Sequence, residues 1–264
     1  MIKLIATDLD NTLLNKEGKI PDSTAALLHQ AAEKGVLTAV ATGRCFPSAL
    51  GAARTIGAHT PVICYNGSLI KWGDTGEVLA KSYVEVDTMR ALAVWCRERE
   101  LFFQSYDYDD VIVCEEDGPG LRRDPDLAVV GFRIVEDFQT YADLHPTPKM
   151  LIVDWSDQVQ ARMAQLAQDF PMLDFCQSES YLIEVIPKGA GKGKALAQLA
   201  ELMGVRQDEV MALGDNTNDL PMLRWAGLGV VVSNGVPSVK AEADYVCQAE
   251  RSEGVEEALR KFVL

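Results

Sequence analysis

Three short apolar runs near the N-terminus limit what this chain can fold into. Residues 1–6 are apolar except for Lys3, residues 36–41 except for Thr38, and residues 62–65 read Val, Ile, Cys, Tyr. Runs this short and this uniformly apolar read as strands buried on both faces. Helical patterns fill the gaps between them. Pro21-Asp22-Ser23-Thr24 opens one, with an apolar face over residues 25–33 and a stop at Gly35; a second covers residues 47–56. Strand, helix, strand, helix, strand predicts a parallel sheet covered by helices on both sides. Each run also ends on polar residues: Asp8 and Asp10, then Thr42 and Gly43, then Asn66 and Gly67. In such sheets ligands collect at the carboxyl ends of the strands, so all three endings are candidates for one site.

The pattern breaks at about residue 83. A helix is predicted over residues 87–100, strands over 102–106 and 111–115, a further strand over 149–155, a helix over 156–169 and a strand over 181–186. Gly118-Pro119-Gly120, Pro125, Pro146 and Pro148 punctuate this stretch. The mixture predicts a separate α+β domain, residues 83–187, inserted into a core made of residues 1–82 and 188–264. The parallel pattern then resumes with a helix over 194–203 and a strand over 209–213 that ends in Gly214-Asp215-Asn216-Thr217-Asn218-Asp219. A short helix over 220–226 tolerates Pro221 in its first turn. A strand over 228–232, ending in Ser233-Asn234-Gly235, and an amphipathic helix over 253–262 complete the chain.

The formal net charge of -14 argues against nucleic acid or an anionic membrane as a partner, because both require a basic footprint. It leaves room for an anionic small substrate, since a metal and two or three cations can reverse the local field. The six cysteines contain no Cys-x-x-Cys pair. No apolar run approaches the length of a membrane span, and Asp8 and Asp10 interrupt any early segment that could act as a signal peptide. The expectation is a cytoplasmic protein with free, mostly buried thiols, working as a monomer or small homo-oligomer.

The chemistry starts at the first strand end. Asp8 and Asp10 are two residues apart on a strand and begin by facing the same way. Carboxylates that close repel unless something positive lies between them, and a hard divalent cation is the natural candidate. Asp215 and Asp219 could join them around one magnesium ion. Thr42 and the Gly43 amide, at a helix start, can hold a phosphoryl oxygen. Lys192, also at a helix start, can neutralise a phosphate and a nearby carboxylate together. With those groups focused on one point, Asp8 can attack phosphorus as a nucleophile, which leaves Asp10 free as acid and base. Each piece alone has a plainer reading: an acidic turn, a loop turn, a solvated lysine beside Lys188 and Lys194. The stretch Gly189-Ala190-Gly191-Lys192-Gly193-Lys194 is not a nucleotide loop. Lys194 stands where the dinucleotide fingerprint needs its third glycine, and Ala195 where a P-loop needs Ser or Thr. His29, His59 and His145 lie outside these stretches, and no Gly-x-Ser-x-Gly is present for a serine hydrolase.

Asp8-Leu9-Asp10-Asn11-Thr12-Leu13-Leu14, Ala41-Thr42-Gly43-Arg44, Lys192-Gly193 and Gly214-Asp215-Asn216-Thr217-Asn218-Asp219 resemble, in order, the four motifs of the haloacid dehalogenase-like superfamily. An insertion between the second and third motifs, together with Tyr65-Asn66-Gly67 and the Ser233-Asn234-Gly235 turn, is similar to the Cof-type sugar-phosphatase branch with an α+β cap of the C2 (type IIB) kind. The resemblance implies a Rossmann-like core and a magnesium-dependent phosphatase acting on a small phosphorylated metabolite. It implies Asp8 as nucleophile, Asp10 as general acid/base, Thr42 and Lys192 on the phosphate, and Asp8, Asp10, Asp215 and Asp219 around the metal. Leu9, Gly43, Arg44, Asn66 and Asn218 are the further candidates for contact with phosphate or substrate. Asn11 departs from the Gly of many relatives, and Asn216-Thr217 from the usual fourth motif, but no charged catalytic group is missing.

Three other functions fit parts of the pattern. A phosphosugar mutase would share the core and the Asp8 intermediate, with Arg122, Arg123 and Arg133 available for a second phosphate. A glycosyltransferase could use Asp-x-Asp for a metal and a nucleotide-sugar, but such pairs lie well inside a chain and Gly214 to Asp219 would be left unexplained. A phospho-acceptor signalling domain also surrounds a metal with Asp, Thr and Lys. It needs a long-lived phosphoaspartate, which the second acid at Asp10 opposes.

Overall fold

The computed structural model describes residues 1–57, 59–107, 111–177 and 179–264. The chain begins with β1 (Leu4–Thr7), α1 (Asp22–Glu33), β2 (Leu37–Ala41), α2 (Phe46–Ile56), β3 (Pro61–Cys64), β4 (Leu69–Trp72) and β5 (Val78–Lys81). It continues with α3 (Val86–Arg97), β6 (Phe102–Tyr106), β7 (Ile112–Cys114), α4 (Pro119–Arg122), β8 (Phe132–Ile134), β9 (Met150–Val153), α5 (Val159–Asp169), β10 (Leu173–Gln177) and β11 (Leu182–Pro187). It closes with α6 (Lys192–Leu202), β12 (Val210–Gly214), α7 (Leu220–Trp225), β13 (Leu228–Val231), α8 (Pro237–Lys240), β14 (Tyr245–Val246) and α9 (Arg251–Phe262). These elements form two compact units.

The first unit comprises residues 1–43, 49–80 and 191–264. Its sheet runs in the order β14-β13-β12-β1-β2-β3-β4-β5. From β14 to β3 every neighbouring pair is parallel, and β1 sits in the middle with β12 on one side and β2 on the other. This is the α/β architecture expected from the apolar runs, and Leu4, Ile5, Ala6 and Val40 are completely buried, as strands covered on both faces require. The sheet departs from the all-parallel expectation at one edge. β4 pairs antiparallel with β3, and β5 extends the sheet beyond it. Asn66 and Gly67 turn the chain straight back instead of starting a crossover helix, so the returning strand can only lie antiparallel. The helix α6 presents Ala195, Leu196, Leu199 and Ala200 to this core. A fully buried leucine contributes roughly 1.5–3 kcal/mol from removal of its surface from water, so this face anchors the helix that begins at Lys192.

The second unit comprises residues 44–48 and 81–190. Its sheet runs in the order β10-β11-β9-β6-β7-β8, antiparallel except for the β7–β8 pair. Its core gathers Met89, Leu92 and Cys96 of α3 with Phe103, Phe138, Ile152, Leu166 and Ile183. β8 and β10 had no clear sequence signal. β8 is three residues long and exposed throughout, and β10 is only half-buried, so neither carries the unbroken apolar run that marks a buried strand. All six cysteines are free, and all but the half-buried Cys176 are buried. Among the described residues no helix is long and apolar enough to cross a membrane.

Candidate active site

The site is built where β1 and β12 end side by side. The Asp8 amide donates to Leu213 O at 3.0 Å, which continues the strand ladder one residue past β1. The chain then makes a wide turn, with Leu13 N donating to Asp8 O (3.2 Å) and Leu14 N to Leu9 O (2.9 Å). Asn11 occupies the left-handed region at φ 61°, a conformation Asn tolerates better than most residues. The turn brings Thr12 back so that its hydroxyl donates to Asp215 Oδ1 at 2.9 Å. Asp215 itself follows directly on β12.

Lys192 opens α6, and its fully buried ammonium lies 2.6 Å from Asp8 Oδ1 and 2.6 Å from Asp219 Oδ1. The other oxygen of Asp219 accepts from the amides of Asp215 (2.9 Å) and Asn216 (3.0 Å). Asp219 therefore fixes both the lysine and the loop that carries Asp215. The fit leaves no space at Gly214: a Cβ there would sit 2.6 Å from Asp219 Cγ. Asp8, Asp215 and Asp219, all buried, each place one carboxylate oxygen within 4.8 Å of the others.

The electrostatics follow from crowding. Burial pushes the Asp8 carboxyl well above the usual carboxylate range. The nearby Lys192 opposes this, and Asp219 and Asp215 add to it. Burial and Asp219 push Asp215 up to about 6. Burial would also discharge Lys192, but the carboxylates of Asp219 and Asp8 outweigh it and hold the amine protonated. With all three carboxylates ionised, this buried group and its one ammonium carry two negative charges in excess, which a divalent cation would balance. The oxygen-only donor set is the kind magnesium takes. The residues present therefore fit such an ion.

The remaining candidates divide. Thr42 is buried at the end of β2, its amide bonded to Ile63 O (2.8 Å), and its carbonyl accepts from Asn66 N at 3.0 Å. Asn218 Nδ2 donates to Asn66 Oδ1 at 3.1 Å, which joins the β3 end to the Asp219 loop. Tyr65, Asn66 and Gly67 all have positive φ (51°, 54° and 104°), so the chain turns sharply here at the expense of backbone strain. The turn brings Gly67 against Gly191, the residue before Lys192: a Cβ on Gly67 would lie 2.4 Å from Gly191 O. The ends of β1, β2, β3 and β12 and the start of α6 are thus linked through direct contacts. Leu9 is buried in the turn after Asp8. Asp10 is exposed and stands outside the trio of carboxylates, though its charge contributes to raising Asp215. Gly43 belongs to the first unit and Arg44 to the second.

Two residues that hold the site were not singled out from the sequence. Thr12 orients Asp215, and its position inside the first motif was the available signal. Asn234 donates from Nδ2 to Asn11 O (2.8 Å) and accepts at Oδ1 from Arg251 N (2.8 Å), so it ties the first turn to α9. Only the turn containing Asn234 was legible.

A family model described as haloacid dehalogenase-like hydrolase matches residues 5–259. Among curated relatives, YxeH of Bacillus subtilis, provisionally named a phosphatase, is 29% identical over 279 residues, covering 100% of this chain and 99% of its own. YcsE of the same organism, named a 5-amino-6-(5-phospho-D-ribitylamino)uracil phosphatase, is 29% identical over 263 residues, covering 100% of this chain and 96% of its own. A solved haloacid dehalogenase-like hydrolase from Bacteroides thetaiotaomicron superposes with a TM-score of 0.85 at 29% identity, covering 99% of each chain. The extent of the family match, from β1 to α9, places this chain in the haloacid dehalogenase-like hydrolase family.

Proposed function

We propose that the protein is a magnesium-dependent phosphatase that hydrolyses a small phosphorylated metabolite, a sugar phosphate in the first instance, through an aspartyl-phosphate on Asp8. The observation that carries this reading is the Lys192 ammonium held between Asp8 and Asp219. It leaves a carboxylate aimed into a buried site whose charge suits a cation and an anionic group together. Asp8 Oδ attacks phosphorus, the bond from phosphorus to the ester oxygen breaks, and Asp10 gives its proton to the departing alkoxide. Water then attacks the same phosphorus, Asp10 takes the proton back, and the acyl phosphate bond breaks to release phosphate and regenerate Asp8. Exposure of Asp10 suits exchange with leaving group and water. Thr42 and the Gly43 amide hold a phosphoryl oxygen, with Arg44, Asn66, Asn218 and the Leu9 amide as further contacts to substrate.

Asp8 and Asp215 are the carboxylates that would hold magnesium, which when bound neutralises phosphoryl oxygens, while Asp10 is kept for proton transfer. Asp219 already uses both oxygens on Lys192 and the Asp215 and Asn216 amides, so its part is to orient those groups. The second unit, close to the inserted segment expected at residues 83–187, is assigned the choice of leaving group.

The test is a panel of phosphate monoesters with purified protein and magnesium. It should contain hexose and pentose phosphates and, because YcsE bears that name, a phosphoribitylamino-pyrimidine. Release of inorganic phosphate from at least one, with kcat/KM well above that for p-nitrophenyl phosphate, is the expected result. No hydrolysis of any member, or a product that is an isomeric phosphate ester, would overturn the reading.

A further inference from the structure

The second unit contains a buried polar group that the proposed mechanism does not use. Asp124 accepts from Tyr106 Oη and Gln104 Nε2 on one oxygen and from Asp126 N on the other (2.8 Å). Asp124 thereby caps the short turn Pro125–Ala128 that presents Asp126. Lys149 sits 3.2 Å from Glu184 with both side chains buried. Burial would lower the Lys149 pKa, but Glu184, Asp126 and Asp124 together raise it and keep the ammonium charged. Asp126 is 1% exposed, and its Oδ2 accepts from the amide of Cys45 at 2.9 Å. Its Oδ1 has no hydrogen-bond partner among the described residues.

Cys45 is the residue before α2, and residues 44–48 group with the second unit although the chain on either side belongs to the first. Asp126 thus holds the amide of the residue directly before α2. Gly43 and Thr42 precede Cys45 by two and three positions. A buried carboxylate with an orphaned oxygen is expensive to keep, and such groups tend to have a role beyond stability.

We propose that Asp126 is a positioning residue: by holding the Cys45 amide it fixes the segment 43–45 so that the Thr42 hydroxyl and the Gly43 amide meet a phosphoryl group. This rests on the phosphatase reading above. Asp126 touches neither substrate nor reacting atoms. Because phosphoryl contacts of this kind act in both ground and transition state, their loss appears in KM rather than in kcat.

The experiment compares Asp126→Ala, Asp126→Asn and Phe138→Leu with the wild type. Phe138 is fully buried in the same unit, so its truncation lowers stability without touching Cys45. The readouts are kcat, KM, the Ki of inorganic phosphate, and hydrogen exchange of residues 44–48. Asp126→Ala should raise KM and the phosphate Ki in parallel by roughly 10–100-fold, the range for a lost hydrogen bond to a charged group, with kcat within about threefold. Asp126→Asn keeps an acceptor and should recover most of the loss. Phe138→Leu should lower Tm and leave KM unchanged. A normal KM and phosphate Ki in Asp126→Ala, or a rise matched by Phe138→Leu, would overturn the proposal. If Asp126→Ala does not fold, Asp126→Leu, which fills a similar volume without an acceptor, decides by exchange at Cys45: faster exchange with a raised KM supports the proposal, and unchanged values of both refute it. A wild type that hydrolyses no ester contradicts the phosphatase reading. The exchange measurement would then test the Asp126–Cys45 link alone.

Discussion

Lys192 Nζ lies 2.6 Å from Asp8 Oδ1 across 184 positions of sequence, and neither group would be stable in its place without the other. Removing the ammonium leaves Asp8 and Asp219 buried and uncompensated. Lys192→Met is therefore expected to destabilise the protein by roughly 3–5 kcal/mol, as for other broken buried pairs, and to lower kcat by about 10²–10³-fold. Denaturant unfolding and steady-state kinetics check the two effects. Lys192→Arg should not restore activity, because a planar guanidinium does not reproduce the compact charge held between Asp8 and Asp219. Wild-type stability in Lys192→Met would mean that the lysine does not balance these carboxylates.

Asp10→Asn should behave differently. Asp10 is exposed and outside the carboxylate trio, so the fold and Tm should be unchanged. Turnover should fall by roughly 10²–10⁴-fold, the range for a lost general acid or base. Single-turnover kinetics should show which step slows. A variant with wild-type kcat would remove Asp10 from the mechanism.

Metal and pH act on the same carboxylates. Chelator should abolish activity and magnesium restore it, while calcium, which prefers more ligands and longer bonds, should substitute poorly. Asp215 titrates at about 6 in the folded protein against an ordinary 3.8. A raised carboxyl contributes fully to stability below its unfolded pKa, and the contribution is lost as pH rises through the folded value. Metal-free protein should therefore lose stability between about pH 4 and pH 6, and the Tm gain from magnesium should grow over the same window. At saturating metal the gain should reach about 5–10 °C. Thermal melts with and without magnesium across this range are the check, and a gain independent of pH would rule out Asp215 as a ligand.

Gly67→Ala tests the close approach behind Lys192. An added Cβ meets Gly191 O at 2.4 Å, and φ of 104° is itself unfavourable for alanine. The substitution should cost more than about 2 kcal/mol and lower kcat, because Gly191 cannot move without Lys192. Gly35→Ala supplies the comparison: its φ is also positive, at 81°, but nothing lies within 4 Å. It should cost about 1–2 kcal/mol and leave kcat unchanged.

Much of the first unit was legible because buried parallel strands are written as unbroken apolar runs, and β1, β2, β3, β12 and β13 all carry one. The antiparallel return of β4 was not, because Asn66-Gly67 marks a turn without saying which way the chain leaves it. Asp8, Thr42, Asn66, Lys192 and Asp215 could be proposed together since each stands at a strand end or helix start, where topology gathers them. The separation of Asp10 from the other three carboxylates was hidden: alternation along a strand aligned Asp8 with Asp10, but the backbone leaves the strand at Asp8 and turns. The link from Asp126 to Cys45 joins positions 81 apart in two stretches with no shared pattern, so only tertiary structure could show it.

The covalent intermediate on Asp8 is the centre of the account, and it can be observed directly. Asp10→Asn protein, mixed with a good phosphate ester and magnesium and quenched in acid, should be examined by intact and peptide mass spectrometry, with Asp8→Asn treated in the same way. The expected result is one added phosphoryl group on the peptide containing Asp8, absent from Asp8→Asn, which should itself have lost at least about 10⁴-fold in kcat. Phosphate release with no phosphorylated peptide at any quench time, or an Asp8→Asn enzyme that still turns over, would contradict nucleophilic attack by Asp8.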